Sequence, residues 1–174
     1  MNKYLSFLGY QGPNTLTALI LLTFASRRIG VVRPYIAVLV WQILNHLLNV
    51  TLKNLIKAPR PNTERAGTAG AGRASTAGTA STAGTAGTSV EVTPANFLTI
   101  HRQFGMPSGH AQAVVSALTF IALYFKNTTL TSVAVLQTGL TLWQRYTSRK
   151  HSLLQLAVGS AIGFLMGLAF YFYI

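Results

Sequence analysis

Apolar stretches recur along the chain at about 14–26, 34–52, 108–125, 128–144 and 153–173, each bounded by charge, Pro or Gly. A bilayer-crossing helix needs about 20 residues, or about 17 at the short end, so the second and fifth stretches are long enough and the first is marginal. The pattern predicts an all-α integral membrane protein, a bundle of about five transmembrane helices. The first stretch also fits a tilted or interfacial segment, because it is cut short by Arg27 and Arg28.

Polar positions inside these stretches are not scattered. Gln42, Asn45, His46, Asn49 and Lys53 recur at spacings of three and four, which puts them on one stripe of a helix. In lipid such groups must meet protein or water, so the stripe is expected to face the bundle interior, with His46 read as a hydrogen-bonded interior histidine. Gly159, Gly163 and Gly167 form a small-residue ridge at four-residue spacing, whose expected use is close helix packing.

A long connection, about 54–106, separates the second and third stretches, and its middle, 66–89, is almost wholly Ala, Gly, Thr and Ser. Such side chains cannot build a packed core, so 66–89 reads as a disordered, low-complexity insertion within a single domain covering 1–174. Its flanks carry Pro, Arg, His and aromatic residues and read as ordered.

Composition then narrows the chemistry. Half of the 174 residues are hydrophobic and only 9% are charged, too few to cover the surface of a soluble domain. Fourteen Lys and Arg stand against two acidic residues, Glu64 and Glu91. The basic residues sit between apolar runs and form no cluster on a soluble face, which argues against nucleic-acid binding. Without Asp, and with both Glu in the long loop, catalysis by paired carboxylates or a carboxylate metal cage is excluded within one chain. With no Cys, thiolate zinc sites and disulfides are excluded as well. No metal or cofactor is expected. The first ten residues lack the apolar core and small-residue cleavage site of a signal peptide.

If the helices alternate in direction, three separated groups of residues emerge on one face. Lys53 ends the second stretch, and Pro59 and Pro61 around Arg60 turn the chain so that Lys53 and Arg60 can approach one point. Gly105-Met106-Pro107-Ser108-Gly109-His110 opens the third helix, where free backbone N–H groups and the helix dipole favour an anion. Arg145 is followed six residues later by His151, with Gln155 one turn beyond. At i and i+4 the Gln155 carbonyl can accept from one imidazole nitrogen and orient the other, while the Arg145 fork suits phosphate oxygens. Arg149 and Lys150 read as flanking charges. Each group alone also fits juxtamembrane cations meeting lipid headgroups.

These residues resemble the type 2 phosphatidic acid phosphatases, which carry, in order, K-x6-R-P, P-S-G-H and S-R-x5-H-x3-D. The chain has Lys53-x6-Arg60-Pro61, Pro107-Ser108-Gly109-His110 and Arg145-x5-His151, an order that extends the resemblance over roughly 35–170. It departs at two positions: Gln144 replaces the Ser, and Gln155 replaces the Asp that supports the nucleophilic His. The dolichyl pyrophosphate phosphatase branch is similar in its H-x3-Q, in G-M-P-S-x-H-x-Q and in K-x2-I-x2-P-R-P, matched here by Gln155, by the run from Gly105 through Gln112 and by the run from Lys53 through Pro61.

The resemblance implies a metal-independent phosphatase of lipid phosphates. By position, His151 is the nucleophile that forms a phosphohistidine, His110 protonates the leaving oxygen and then activates water, and Gln155 supports His151. Lys53, Arg60, Ser108, Gly109 and Arg145 bind phosphate. The branch similarity points to a polyprenyl substrate such as dolichyl pyrophosphate; phosphatidic acid, related glycerolipid phosphates and phosphoryl transfer to another alcohol remain alternatives, as does a non-catalytic protein binding anionic lipid. A channel is disfavoured because the basic groups gather at one face. Loop charges do not orient the chain, and the resemblance places the active face toward lumen or exterior, the endoplasmic reticulum in a eukaryotic cell. The sequence leaves the oligomeric state open.

Overall fold

The computed structural model describes residues 3–27, 32–58 and 104–174. Arg60 and the 66–89 insertion lie outside them. Among the described residues the elements are all helices: α1 (Lys3–Tyr10), α2 (Gly12–Ser26), α3 (Arg33–Ile56), α4 (Gly109–Phe120) with a π-helical turn at Ile121–Phe125, α5 (Thr128–Thr147) and α6 (Leu153–Tyr173). The expected all-α fold is present. Of these helices, α3 and α6 are long and apolar enough to cross a membrane, and Gly109–Phe125 is apolar but shorter.

The apolar pattern does not reveal α1, because its eight residues form a separate helix ahead of the first stretch. The break falls at Gln11, where Gly12 and Pro13 open α2; a proline in the first turn has no N–H to lose and is pre-set for helix. Other ends follow local rules. Asn127 caps α5 by accepting from the Leu130 N–H at 3.0 Å, and Ser152 with Gln155 forms a reciprocal capping box on α6. Lys57 and Lys126 adopt the left-handed conformation that ends α3 and the π turn.

The glycine ridge of α6 packs on α4 as expected, and the fit is one ridge against another. A Cβ at Gly159 would stand 2.6 Å from the Ser108 carbonyl oxygen, one at Gly163 would collide with the Gln112 carbonyl, and one at Gly167 would lie 2.5 Å from the Ser116 carbonyl. Both rows advance four residues at a time, so the helices touch backbone to backbone along three turns.

The bundle interior is divided end to end. At one end Leu16, Ile20 and Phe24 of α2 meet Val38 and Trp41 of α3, Phe120 and Phe125, and Phe170 of α6. Trp41 stacks on Phe170 with centroids 4.8 Å apart. The opposite end is polar, with Asn45, Asn49, Lys53, Ser108, Gln112, Arg145, His151 and Gln155 all buried. An apolar plug below and a polar pocket above is the arrangement that positions the site.

Candidate active site

The pocket is built where α3 and α5 end, α4 and α6 begin, and α1 bends into α2. Lys53 occupies the last turn of α3, where the dipole favours a cation and offsets part of the cost of burying it. Arg145 occupies the last turn of α5 and is also buried. Ser148 and Arg149, the latter with φ 52°, then turn the chain back so sharply that the Lys150 N–H reaches the Arg145 carbonyl at 3.3 Å. That turn brings His151 to the same end as Arg145, ahead of α6.

The start of α4 is held by a chain of side-chain amides. Gln112, fully buried, donates through Nε2 to the Asn45 Oδ1 at 2.7 Å and accepts at Oε1 from Asn49 Nδ2 at 2.8 Å. Asn49 Nδ2 also reaches the Pro107 carbonyl at 3.4 Å, and a Cβ at Gly109 would lie 2.9 Å from Asn49 Oδ1. The inward stripe of α3 therefore fixes the turn before His110 relative to Lys53. The stripe is incomplete, since His46 is not interior but exposed on the wall of the pocket, and Gln42 is half-buried and donates to Thr17.

A cavity of about 740 Å³ opens here, and its walls include Lys53, Gly109, His110, Arg145 and His151. Five of the eight expected catalytic and phosphate-binding residues thus meet at one cavity, together with Gln42, Asn45, His46 and Asn49 of the polar stripe. Ser108 does not reach it. Its side chain is buried as the cap of α4, accepting from the Ala111 N–H at 3.5 Å, and its own N–H donates to the Gln155 carbonyl at 3.2 Å. Gly109 and His110, which open α4 and line the cavity, are in the first turn, whose N–H groups have no partner within the helix.

His151 and Gln155 are related differently from the sequence expectation. His151 Nδ1 stands 2.9 Å from the Gly105 carbonyl oxygen. A carbonyl can only accept, so this contact places a proton on Nδ1. Gln155 lies behind this contact: its amide oxygen accepts the Ser152 N–H at 3.2 Å, its own N–H donates to Ser152 Oγ, and its side chain packs so tightly over Gly105 that a Cβ there would lie 2.7 Å away. An i,i+4 argument finds residues on one helical face, but His151 precedes α6 and is not on its regular surface. A loop carbonyl distant in sequence carries no residue-type signal, which is why the contact of the Gly105 carbonyl with His151 is not legible from sequence.

Two further residues belong to the site. Lys150, read from sequence as a flanking charge, lines the cavity, as does Tyr10 from α1. Their arrival depends on the turn at Arg149 and on the docking of α1, neither of which hydrophobic periodicity encodes.

Two lysines, an arginine and three imidazoles around one cavity, at the first turn of α4, suit a tetrahedral oxyanion. No curated protein and no solved structure matches the chain above the significance threshold. Residues 34–174 match the family model of the PAP2 superfamily, whose members are phosphatases and other phosphoesterases. With more than half of its length matched, and with cationic side chains and histidines lining one cavity, the chain belongs to the PAP2 superfamily and is an enzyme acting on a phosphate-bearing substrate.

Proposed function

We propose that the protein is a membrane-embedded, metal-independent lipid phosphatase that works through a phosphohistidine at His151. The observation that carries this reading is the convergence of Lys53, His110, Arg145 and His151 on one cavity at the polar end of a bundle whose outer faces are apolar. Leu39, Ile43 and Leu47 on α3, Leu136 on α5, and Leu154, Leu165 and Phe172 on α6 are exposed. Polar groups inside and large apolar ones outside suit lipid as the surrounding medium. At about 1.5 Å per residue, the 24 residues of α3 extend about 36 Å, enough to cross a hydrocarbon core. We read the remaining helices as completing a multi-pass bundle, with the active face toward lumen or exterior as the family resemblance implies.

In this reading Lys53, Arg145 and the Gly109 and His110 N–H groups hold the phosphoryl oxygens, with Arg60 as a further ligand, and oppose the charge that spreads over them in transfer. Nε2 of His151 attacks phosphorus while the bond to the leaving oxygen breaks, and His110 gives that oxygen its proton. His110 then takes a proton from water, whose oxygen attacks the phosphohistidine; the P–N bond breaks and inorganic phosphate leaves. Gly105 keeps His151 in the reactive tautomer and stabilises the imidazolium as the phosphoryl group is transferred. The similarity of Gln155 and its neighbouring motifs to the dolichyl pyrophosphate branch favours a polyprenyl diphosphate as substrate.

Phosphate release from a polyprenyl diphosphate should persist in excess chelator, and vanadate should inhibit it competitively, because its pentacoordinate form resembles the phosphoryl group in transfer. Activity that disappears on chelation and returns with magnesium would rule this mechanism out. Gln155→Leu removes the acceptor of the α6 capping box, which should cost about 1 kcal/mol of stability and, by loosening Gly105, slow phosphohistidine formation roughly tenfold. Gln155→Glu preserves the box and should recover the stability. Rapid-quench measurement of the intermediate and thermal unfolding in detergent read the two effects; a Gln155→Leu protein that phosphorylates at the parental rate would show that Gln155 does not support His151.

A further inference from the structure

Tyr10 ends α1, outside the residues that match the family, yet its ring stands within the group of site cations. Its centroid lies 5.0 Å from the Arg145 guanidinium carbon, 6.0 Å from Lys150 Nζ and 5.3 Å from the His110 ring, inclined to that ring by 43°. All four residues line the same cavity.

The ring is held there by a close junction between α1 and α5. A Cβ at Gly9 would lie 2.6 Å from Gln144 Cβ and 2.9 Å from the Leu140 carbonyl oxygen, and a Cβ at Gly12 would collide with Thr141. Gln137 Nε2 donates to the Leu8 carbonyl at 2.8 Å. These contacts run along one face of α5 toward Arg145, and the bend at Gln11 leaves Tyr10 at the corner above it. The glycines permit the approach, and the approach sets the height of the ring over the guanidinium.

We infer that Tyr10 is a positioning residue of the phosphate cradle, its ring face holding the Arg145 guanidinium beside His110 at the spacing the phosphoryl group needs. An aromatic face attracts a cation through its quadrupole without neutralising it. A carboxylate in the same place would hold Arg145 equally well but would compete with the phosphate oxygens for its N–H groups. The inference rests on the reading of this cavity as a phosphoryl site.

The test uses the full chain in detergent, with vanadate as the probe. Tyr10→Leu should weaken vanadate inhibition and raise KM by about tenfold while kcat changes much less, and Tyr10→Phe should restore both because it keeps the ring. Should Tyr10→Leu fail to fold, singly to multiply fluorinated phenylalanines at position 10 keep the shape while draining the ring face; vanadate affinity should then fall stepwise with fluorine number, a trend that a purely structural role would not produce. Unchanged vanadate affinity in Tyr10→Leu or across the fluorinated series, or a Tyr10→Phe protein as weak as Tyr10→Leu, would overturn the inference. A parent protein that neither binds vanadate nor releases phosphate would fail the phosphatase reading itself, a result distinguishable because no variant is needed to see it.

Discussion

His151→Asn is expected to reduce phosphate release by at least about a thousandfold, about 4 kcal/mol of activation free energy, because in the proposed mechanism it removes the group that forms the bond to phosphorus. Asparagine is the informative replacement. Its amide N–H can follow Nδ1 in donating to the Gly105 carbonyl, so the loop before α4 keeps its contact while the Nε2 lone pair is lost. Stability and insertion should therefore be close to parental. The result should hold even for a substrate with a good leaving group, since no phosphoenzyme can form. His110→Asn should behave otherwise: a leaving oxygen that needs no proton partly bypasses a general acid, so an aryl phosphate should still phosphorylate this protein. Rapid-quench detection of acid-labile phosphohistidine separates the cases. Turnover by His151→Asn above about a tenth of the parental rate would remove His151 from the nucleophile's role.

Gly163→Val should have the largest effect on the fold. The added Cβ falls on the backbone carbonyl of Gln112, and a main-chain atom inside a helix cannot rotate away as a side chain can. Overpacking of this kind costs about 1–3 kcal/mol, and more if α4 and α6 must separate. The damage reaches the site because Gln112 is the fully buried amide linking Asn45 with Asn49, and displacing it leaves polar groups of α3 without their partners. Gly139→Ala on α5 is the control: nothing lies within 4 Å of its added Cβ, and replacing a helical glycine by alanine should stabilise by roughly 0.5–1 kcal/mol. Thermal unfolding in detergent, followed by phosphate release, reads both. Gly163→Val unfolding at the parental temperature would mean that the glycine ridge does not hold α4 and α6 together.

Much of this organisation was written in local pattern. The helical regions followed from apolar runs bounded by Pro, Gly and charge, and α4 and α6 begin at the small polar residues Ser108 and Ser152 that cap them. The glycine ridge predicted helix contact because four-residue spacing places all three on one face. Lys53, His110, Arg145 and His151 could be gathered from chain order alone, since helix ends that emerge on one side of a bundle must be neighbours. What failed was local geometry at those ends. The Ser108 side chain is buried as the cap of α4; His46, whose spacing predicts an interior place, stands exposed at the cavity; and Lys150, which reads as a flanking charge, lines it.

The sequence by itself determined which residues could carry chemistry, because charge and imidazole are properties of side chains, and which segments would be helical, because periodicity is a property of neighbours. It also determined which face of α6 would meet another helix. Only the tertiary structure decided that the other ridge belongs to α4, that Gln112 ties Asn45 and Asn49 to the start of that helix, and that Tyr10 covers Arg145. Above all, it decided that the Gly105 carbonyl faces His151. Every backbone carbonyl has the same chemistry, so only the path of the chain through space can single one out to orient a histidine 46 residues away.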